Sequence, residues 1–351
     1  MFARNAVLVA IVVLGAGLWI RVPAATPASP AAPATTTPSA ALQKQAATGD
    51  AAAEAKLGLE LMKTKKPADE SAAVDWFRKA AAQGNTDSQF NLGLAYATGA
   101  GITRDVPTGL KWMRESLSDG SGTHMLVYGM LLGSLGGGSQ QEALKWIRKS
   151  AEAGAPAGMM FLAMAEQKDD PADARRWMLK AAQAGSPLPQ MLLGWGYILG
   201  KGMFDSPNTD AGLHWLRKAA NQGYAPAEGA LGLLLITGDH QVPDDPAEGV
   251  QWAQKAAAQH NAYGYYAMGY AYQLGKGESV DPAKAWYNFA AAQRLDTKHN
   301  LTKAGEDMSL VATELSPAQI QKLQAEVAQI PVSKKNTGTG NIGNNFNSSN
   351  K

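Results

Sequence analysis

The stretch Trp76-Phe77-Arg78-Lys79-Ala80-Ala81-Ala82-Gln83-Gly84 decides the fold, because the chain repeats its pattern seven times. It returns as WMRESLSDG at 112, WIRKSAEAG at 146, WMLKAAQAG at 177, WLRKAANQG at 215, WAQKAAAQH at 252 and WYNFAAAQR at 286. The tryptophans stand 31 to 38 residues apart, a period that belongs to stacked helix pairs rather than to one globular core. In five copies a glycine follows the tryptophan by eight residues, at Gly84, Gly120, Gly154, Gly185 and Gly223. Glycine just past a helical run suits a left-handed C-cap, because no Cβ clashes at positive φ. The phrase is therefore the end of a helix, called B here.

The starts of B helices are legible as Asp170-Pro171, Asp245-Pro246 and Asp281-Pro282, an N-capping carboxylate before a proline at the first helical position. Asp169-Asp170 and Asp244-Asp245 look like paired catalytic carboxylates, but both precede a B helix and read as caps. After each B helix comes a second phrase, typified by Leu92-Gly93-Leu94-Ala95-Tyr96, with counterparts around Gly58, Gly129, Gly194, Gly232 and Gly269, and Ala163 in the fourth repeat. This is helix A, opening on a proline at Pro156, Pro187 and Pro226. A mid-helix glycine costs about 1 kcal/mol relative to alanine. Its recurrence predicts a close A–B approach, over alanine pairs such as Ala80-Ala81 and Ala219-Ala220, with the tryptophan covering the seam. Glycine-rich turns link A to B at Gly99-Ala100-Gly101, Gly136-Gly137-Gly138, Gly200-Lys201-Gly202 and Gly275-Lys276-Gly277. The run Gly133-Ser134-Leu135-Gly136-Gly137-Gly138 is not a phosphate loop, since no strand precedes it and no Gly-Lys-Ser/Thr follows.

This combination of LGxxY, GxG and W-x-x-KAA-x-x-G resembles the Sel-one-like repeat family, relatives of the tetratricopeptide repeats, over residues 42–295. The resemblance implies an all-α fold: a right-handed superhelical solenoid of about seven antiparallel helix pairs with a C-terminal capping helix. It also implies an interaction scaffold, usually without catalytic residues of its own. A cysteine-rich branch of the family resembles penicillin-binding or β-lactamase-like proteins. This chain has no cysteine, so that activity does not carry over. Other envelope members look like immunity proteins against secreted phospholipase effectors, and nothing in these residues selects or rejects that subtype.

Outside the repeats, residues 1–25 hold Arg4 and an apolar run from Ala6 to Ile20. Fifteen residues suit a secretory signal better than a membrane span. Both a cleaved signal and an uncleaved anchor fit, which places the chain in the periplasm, soluble or tethered to the inner membrane, with membrane contact only through this segment. Residues 26–41 read as an Ala/Pro/Thr-rich linker, 296–330 as capping helices opening at the box Ser316-Pro317-Ala318-Gln319, and 331–351 as an Asn/Gly/Ser-rich tail.

The chain of 351 residues carries 32 basic and 30 acidic side chains. Without Arg4 and Arg21 the two counts are equal, which disfavours nucleic acid as a partner. No metal or cofactor is expected. The five histidines, His124, His214, His240, His260 and His299, show no metal-ligand spacing, neither HExxH nor GxSxG occurs, and SxxK occurs only as Ser348-Ser349-Asn350-Lys351 in the Asn/Gly/Ser-rich tail. The chain is thus expected to bind a protein partner and not to act as an enzyme. Taking each LG glycine as position zero, −3 and +1 on helix A should face the concave groove. That names Phe90 and Leu94, Leu126 and Met130, Met160 and Met164, Met191 and Trp195, and Tyr266 and Tyr270. The same stripe also reads as packing between neighbouring A helices. Trp195, Tyr266 and Tyr270 stand out because a second aromatic exceeds what the repeat requires.

Overall fold

The computed structural model of the chain describes residues 38–135, 139–296, 301 and 303–332. The leader, the linker up to residue 37, the turn glycines 136–138 and the tail from 333 lie outside the described residues. Two compact units divide the chain, the first ending at Gly158 and the second beginning at Met159. Among the described residues there are α-helices and no strands. The first unit holds α1 (Ala40–Ala47), α2 (Ala51–Thr64), α3 (Pro67–Ala82), α4 (Thr86–Thr98), α5 (Val106–Ser116), α6 (Gly122–Ser134) and α7 (Ser139–Glu152). The boundary falls within α8 (Pro156–Glu166). The second unit continues with α9 (Pro171–Gln183), α10 (Pro187–Leu199), α11 (Thr209–Ala220), α12 (Ala225–Thr237), α13 (Pro246–Ala258), α14 (Ala262–Leu274), α15 (Pro282–Leu295), α16 (Ala304–Ala312) and α17 (Pro317–Ala328). From α2 to α15 these alternate as helices A and B of seven repeats, and in the first three and the last three repeats A packs along B.

The caps show why each helix begins and ends where it does. Asp105, Asp170, Asn208, Asp245 and Asp281 each accept the backbone N–H three residues on. Within the Asp244-Asp245 pair only Asp245 caps; Asp244 instead accepts from Lys276 Nζ at 3.0 Å, in the turn of the next repeat. At the other end, Gly84, Gly120, Gly154, Gly185 and Gly223 all take φ between 72° and 89°. In the sixth repeat His260 occupies the same place at φ 54°, a conformation in which a Cβ crowds the backbone.

The seam between A and B corrects one expectation. The LG glycines do not sit over the paired alanines; Gly93, Gly129, Gly194 and Gly232 face the positions three before and one after the tryptophan, Gly58 faces Phe77 one after it, and Gly269 faces Phe289 three after it. A Cβ at Gly194 would lie 2.8 Å from Leu216 Cγ and 2.9 Å from the Gly212 carbonyl, and one at Gly232 would lie 2.9 Å from the Gly249 carbonyl. The contact is reciprocal, since a Cβ at Gly109 would meet the Gly93 carbonyl at 2.7 Å. The position three before the tryptophan is glycine or alanine in every repeat: Ala73, Gly109, Ala143, Ala174, Gly212, Gly249 and Ala283. Beside this seam the −1 residues Leu57, Leu92, Tyr128, Leu162, Leu193, Leu231 and Met268 are all buried and form the core.

The tryptophans cover the seam from outside rather than filling it. Trp177, Trp215 and Trp286 are buried, while Trp76, Trp112, Trp146 and Trp252 are half-buried. In five repeats the lysine one turn on places its ammonium over the ring, at 4.0 Å for Lys255 on Trp252 and 4.6 Å for Lys218 on Trp215. Such cation–π contacts are favourable and keep the charge in water.

Helices α16 and α17 pack on α15, adding Ala304, Val311, Val327 and Ile330 to the core around Trp286 and Phe289. The expected capping box is present, with the Ser316 N–H donating to Gln319 Oε1 at 2.9 Å. Arg294, where five other repeats have glycine, lies inside α15 and donates to the carbonyls of Ile330 and Ala328 at 3.1 and 3.0 Å. It thereby satisfies acceptors at the end of α17 that the helix leaves open.

Candidate partner-binding face

The two columns expected to face a groove separate sharply by exposure. At −3, Ala55, Phe90, Leu126, Met160, Met191, Gly229 and Tyr266 are all buried. At +1, Leu59, Leu94, Trp195, Leu233 and Tyr270 are half-buried, Met164 is 46% exposed and only Met130 is buried. As the chain stands, Phe90, Met130, Met160, Met191 and Tyr266 are packing residues, and Leu94, Met164, Trp195 and Tyr270 present surface. The 40° between −3 and +1 on a helical wheel is enough to take a side chain from the packed interior to its edge.

In the second unit Trp195 and Tyr270 both lie near the turn after α12, which holds His240 and Asp239. This turn departs from the Gly-x-Gly pattern. Gly238 keeps the first glycine place, at φ 73°, but His240 stands where Gly101, Gly202 and Gly277 stand in other repeats. His240 and Gln241 both adopt left-handed φ, 56° and 61°. Backbone held in that region without glycine carries strain, and strain of this kind concentrates at functional sites. The imidazole it places meets the edge of Trp195 at 6.3 Å between ring centroids, with the rings perpendicular. Thus the one A-helix tryptophan and the histidine at a glycine position are partners, although 45 residues separate them in sequence.

On the other flank Leu233 and Tyr270 pack on the same core cluster. Burial is the largest cause raising the Tyr270 phenol above its ordinary pKa, with the nearby carboxylates of Asp307 and Asp239 acting in the same direction. Tyr266 is shifted the same way, again chiefly by burial. The two phenols also serve the fold. Tyr266 and Tyr270 donate to Asp307 Oδ2 at 2.8 and 3.1 Å, tying α16 to α14. Trp195 makes no such internal bond, because its ring lies beside His240 at the rim.

One grouping was not foreseen from the sequence. Asp87, Asp119 and His124, all in the first unit, come together with one ligand-capable atom from each within 4.8 Å of the others. No spacing rule flags it, because the three residues sit at unlike phases of the repeat.

An array of A–B helix pairs, each with a buried seam and an accessible A-helix column, is an α-solenoid of the protein-interaction scaffold class. The chain belongs to the Sel1 repeat family: the family model matches residues 51–85, 86–121, 125–154, 158–186, 190–224, 225–261 and 262–294. It is similar to chitin synthase regulatory factor 3 of Schizosaccharomyces pombe, 37% identical over 84 residues, 23% of this chain and 9% of that protein. An uncharacterised protein of Neisseria meningitidis serogroup B is 29% identical over 233 residues, 65% of this chain and 47% of that one. The chain therefore spans less than half the length of either curated relative. Among solved structures, a protective antigen present in uropathogenic Escherichia coli strains and displaying an SLR fold matches at TM-score 0.65 and 26% identity, covering 82% of this chain and 62% of that one.

Proposed function

We propose that the protein is a non-catalytic scaffold of the bacterial envelope that binds a protein partner on the accessible A-helix column of its second unit, centred on Trp195 and bordered by Met164, Leu233, His240 and Tyr270. The observation that carries this reading is the Trp195–His240 pair, in which two separate departures from the repeat meet on one surface. A half-buried indole with no internal hydrogen-bond role suits a binding hot spot, where tryptophan supplies large contact area at low conformational cost. The envelope location rests on Arg4 and the apolar run Ala6–Ile20. Neutralisation of a secreted phospholipase-type effector is the special case of this role in which the gene for such an effector adjoins this one.

The test is capture of a partner by the full chain from an envelope fraction, repeated with the Trp195→Ala variant. Loss of an anchoring tryptophan costs about 2 kcal/mol or more, so captured partner should fall at least about tenfold while helicity by circular dichroism stays unchanged. Undiminished capture would remove the face from consideration.

A further inference from the structure

Where the second and third repeats meet in the first unit, a buried histidine lies between two carboxylates that do not bond it well. Asp87 is in the first turn of α4, Asp119 ends the short turn after α5, and His124 is in the first turn of α6. The imidazole is only 2% exposed and is stacked on Phe90, with centroids 4.3 Å apart and planes 12° from parallel. Its Nδ1 faces Asp119 Oδ2 at 3.3 Å and its Nε2 faces Asp87 Oδ1 at 3.5 Å. Neither is the 2.7–2.9 Å of a charge-assisted N–H···O bond, and the buried Nδ1 makes no hydrogen bond at all. A buried nitrogen left without a hydrogen bond is costly.

A single cation takes only one of the two ring nitrogens, and with one ligand atom from each residue the three groups lie within 4.8 Å of one another. In a tetrahedral shell with bonds of about 2.1 Å, neighbouring donors stand about 3.4 Å apart, the span seen between Nδ1 and Asp119 Oδ2. Asp119 is already oriented, because its Oδ1 accepts the Ser121 N–H at 2.7 Å and leaves Oδ2 turned toward the ring. The Asp87 side chain is 52% exposed, which leaves an approach from solvent and lets the carboxylate turn from Nε2 toward an ion held at Nδ1. We propose that His124, Asp119 and Asp87 form a binding site for a divalent transition-metal ion, with zinc the best match to one imidazole and two carboxylates. The ion ties the start of α6 to the start of α4 and to the turn between α5 and α6.

The proposal is tested on the full chain, without added histidines, stripped with chelator and dialysed against zinc chloride, with Asp87→Asn and Asp119→Asn made singly and together. Asparagine at 119 retains the acceptor for the Ser121 N–H, and position 87 is exposed, so both variants keep the fold. Elemental analysis should find about one zinc per wild-type chain. Affinity should be at least about tenfold weaker in each single variant, and binding should be absent in the double. Cobalt substitution should give visible absorption bands in the wild type alone, and zinc should raise the melting temperature of the wild type alone. Equal zinc content in the wild type and the double variant would overturn the site. So would a wild-type chain that retains no zinc after the same dialysis.

Discussion

Repeats five and six are neighbours in the second unit and share one seam, yet they differ almost everywhere off it. Gly194 against Gly212 and Gly232 against Gly249 set the same helix spacing. Around that constant, repeat five closes its turn with Gly200 and Gly202 and its B helix with Gly223, whereas repeat six uses His240 and His260 at the second turn place and the B-helix end. Of the four non-glycine residues with positive φ among those described, three (His240, Gln241 and His260) lie in repeat six. At +1 the pair changes from Trp195 to Leu233, and at −4 from Gln190 to Glu228, each held by a glutamine at the end of its B helix. The difference teaches that the seam sets the fold while the backbone at turns and caps is free to vary, and that in repeat six this freedom delivers a histidine to the neighbouring repeat's tryptophan.

The largest effect should come from breaking what the two repeats share. Leucine at Gly194 or Gly232 has no space against a backbone carbonyl and nitrogen, and overpacking of this kind costs about 3 kcal/mol; thermal denaturation should show a fall in melting temperature of several degrees for either variant alike. A smaller effect of opposite sign follows from making repeat six like repeat five. His260→Gly and His240→Gly each relieve left-handed strain and should stabilise by about 1 kcal/mol in urea titration. The two should part on function, with partner binding weakened in His240→Gly and unchanged in His260→Gly.

The smallest effect concerns Glu228. Its burial is the leading cause that raises the carboxyl pKa, opposed by Lys255 and by the Gln259 amide that donates to it at 2.7 Å. A carboxyl whose pKa is raised on folding favours the folded state at pH below the unfolded value, and that advantage is lost as pH rises through the folded value. Glu228→Gln, which copies Gln190 of repeat five, should therefore match or exceed the wild type in melting temperature at pH 7. It should lose that lead near pH 4.

Much of this was written in the chain. The tryptophan period counted the helix pairs, and Asp-Pro and Ser-Pro-Ala-Gln placed helix starts, because caps and first-turn prolines act locally and leave local signals. The small residue three before each tryptophan was equally visible but needed the seam to give it meaning. The binding stripe was legible only as a stripe. That −3 packs and +1 surfaces depends on how one A helix leans on the next, which a helical wheel drawn for a single helix does not contain. The Asp87–Asp119–His124 group was illegible for the same reason: one helix, one turn and a second helix supply one member each. Arg294 broke the glycine rule in plain view, yet its acceptors at Ala328 and Ile330 lie 34 and 36 residues downstream.

That arginine also bears on how such an array can grow. A repeat ending in glycine hands the chain on to another A helix, so any of the first five could be duplicated and the copy would find a matching surface on either side. The seventh ends differently, since α15 runs on to Leu295 and its guanidinium is committed to α17. New modules are thus admissible upstream of it, and an engineer lengthening this solenoid would insert before Ala262 and leave the terminal pair untouched.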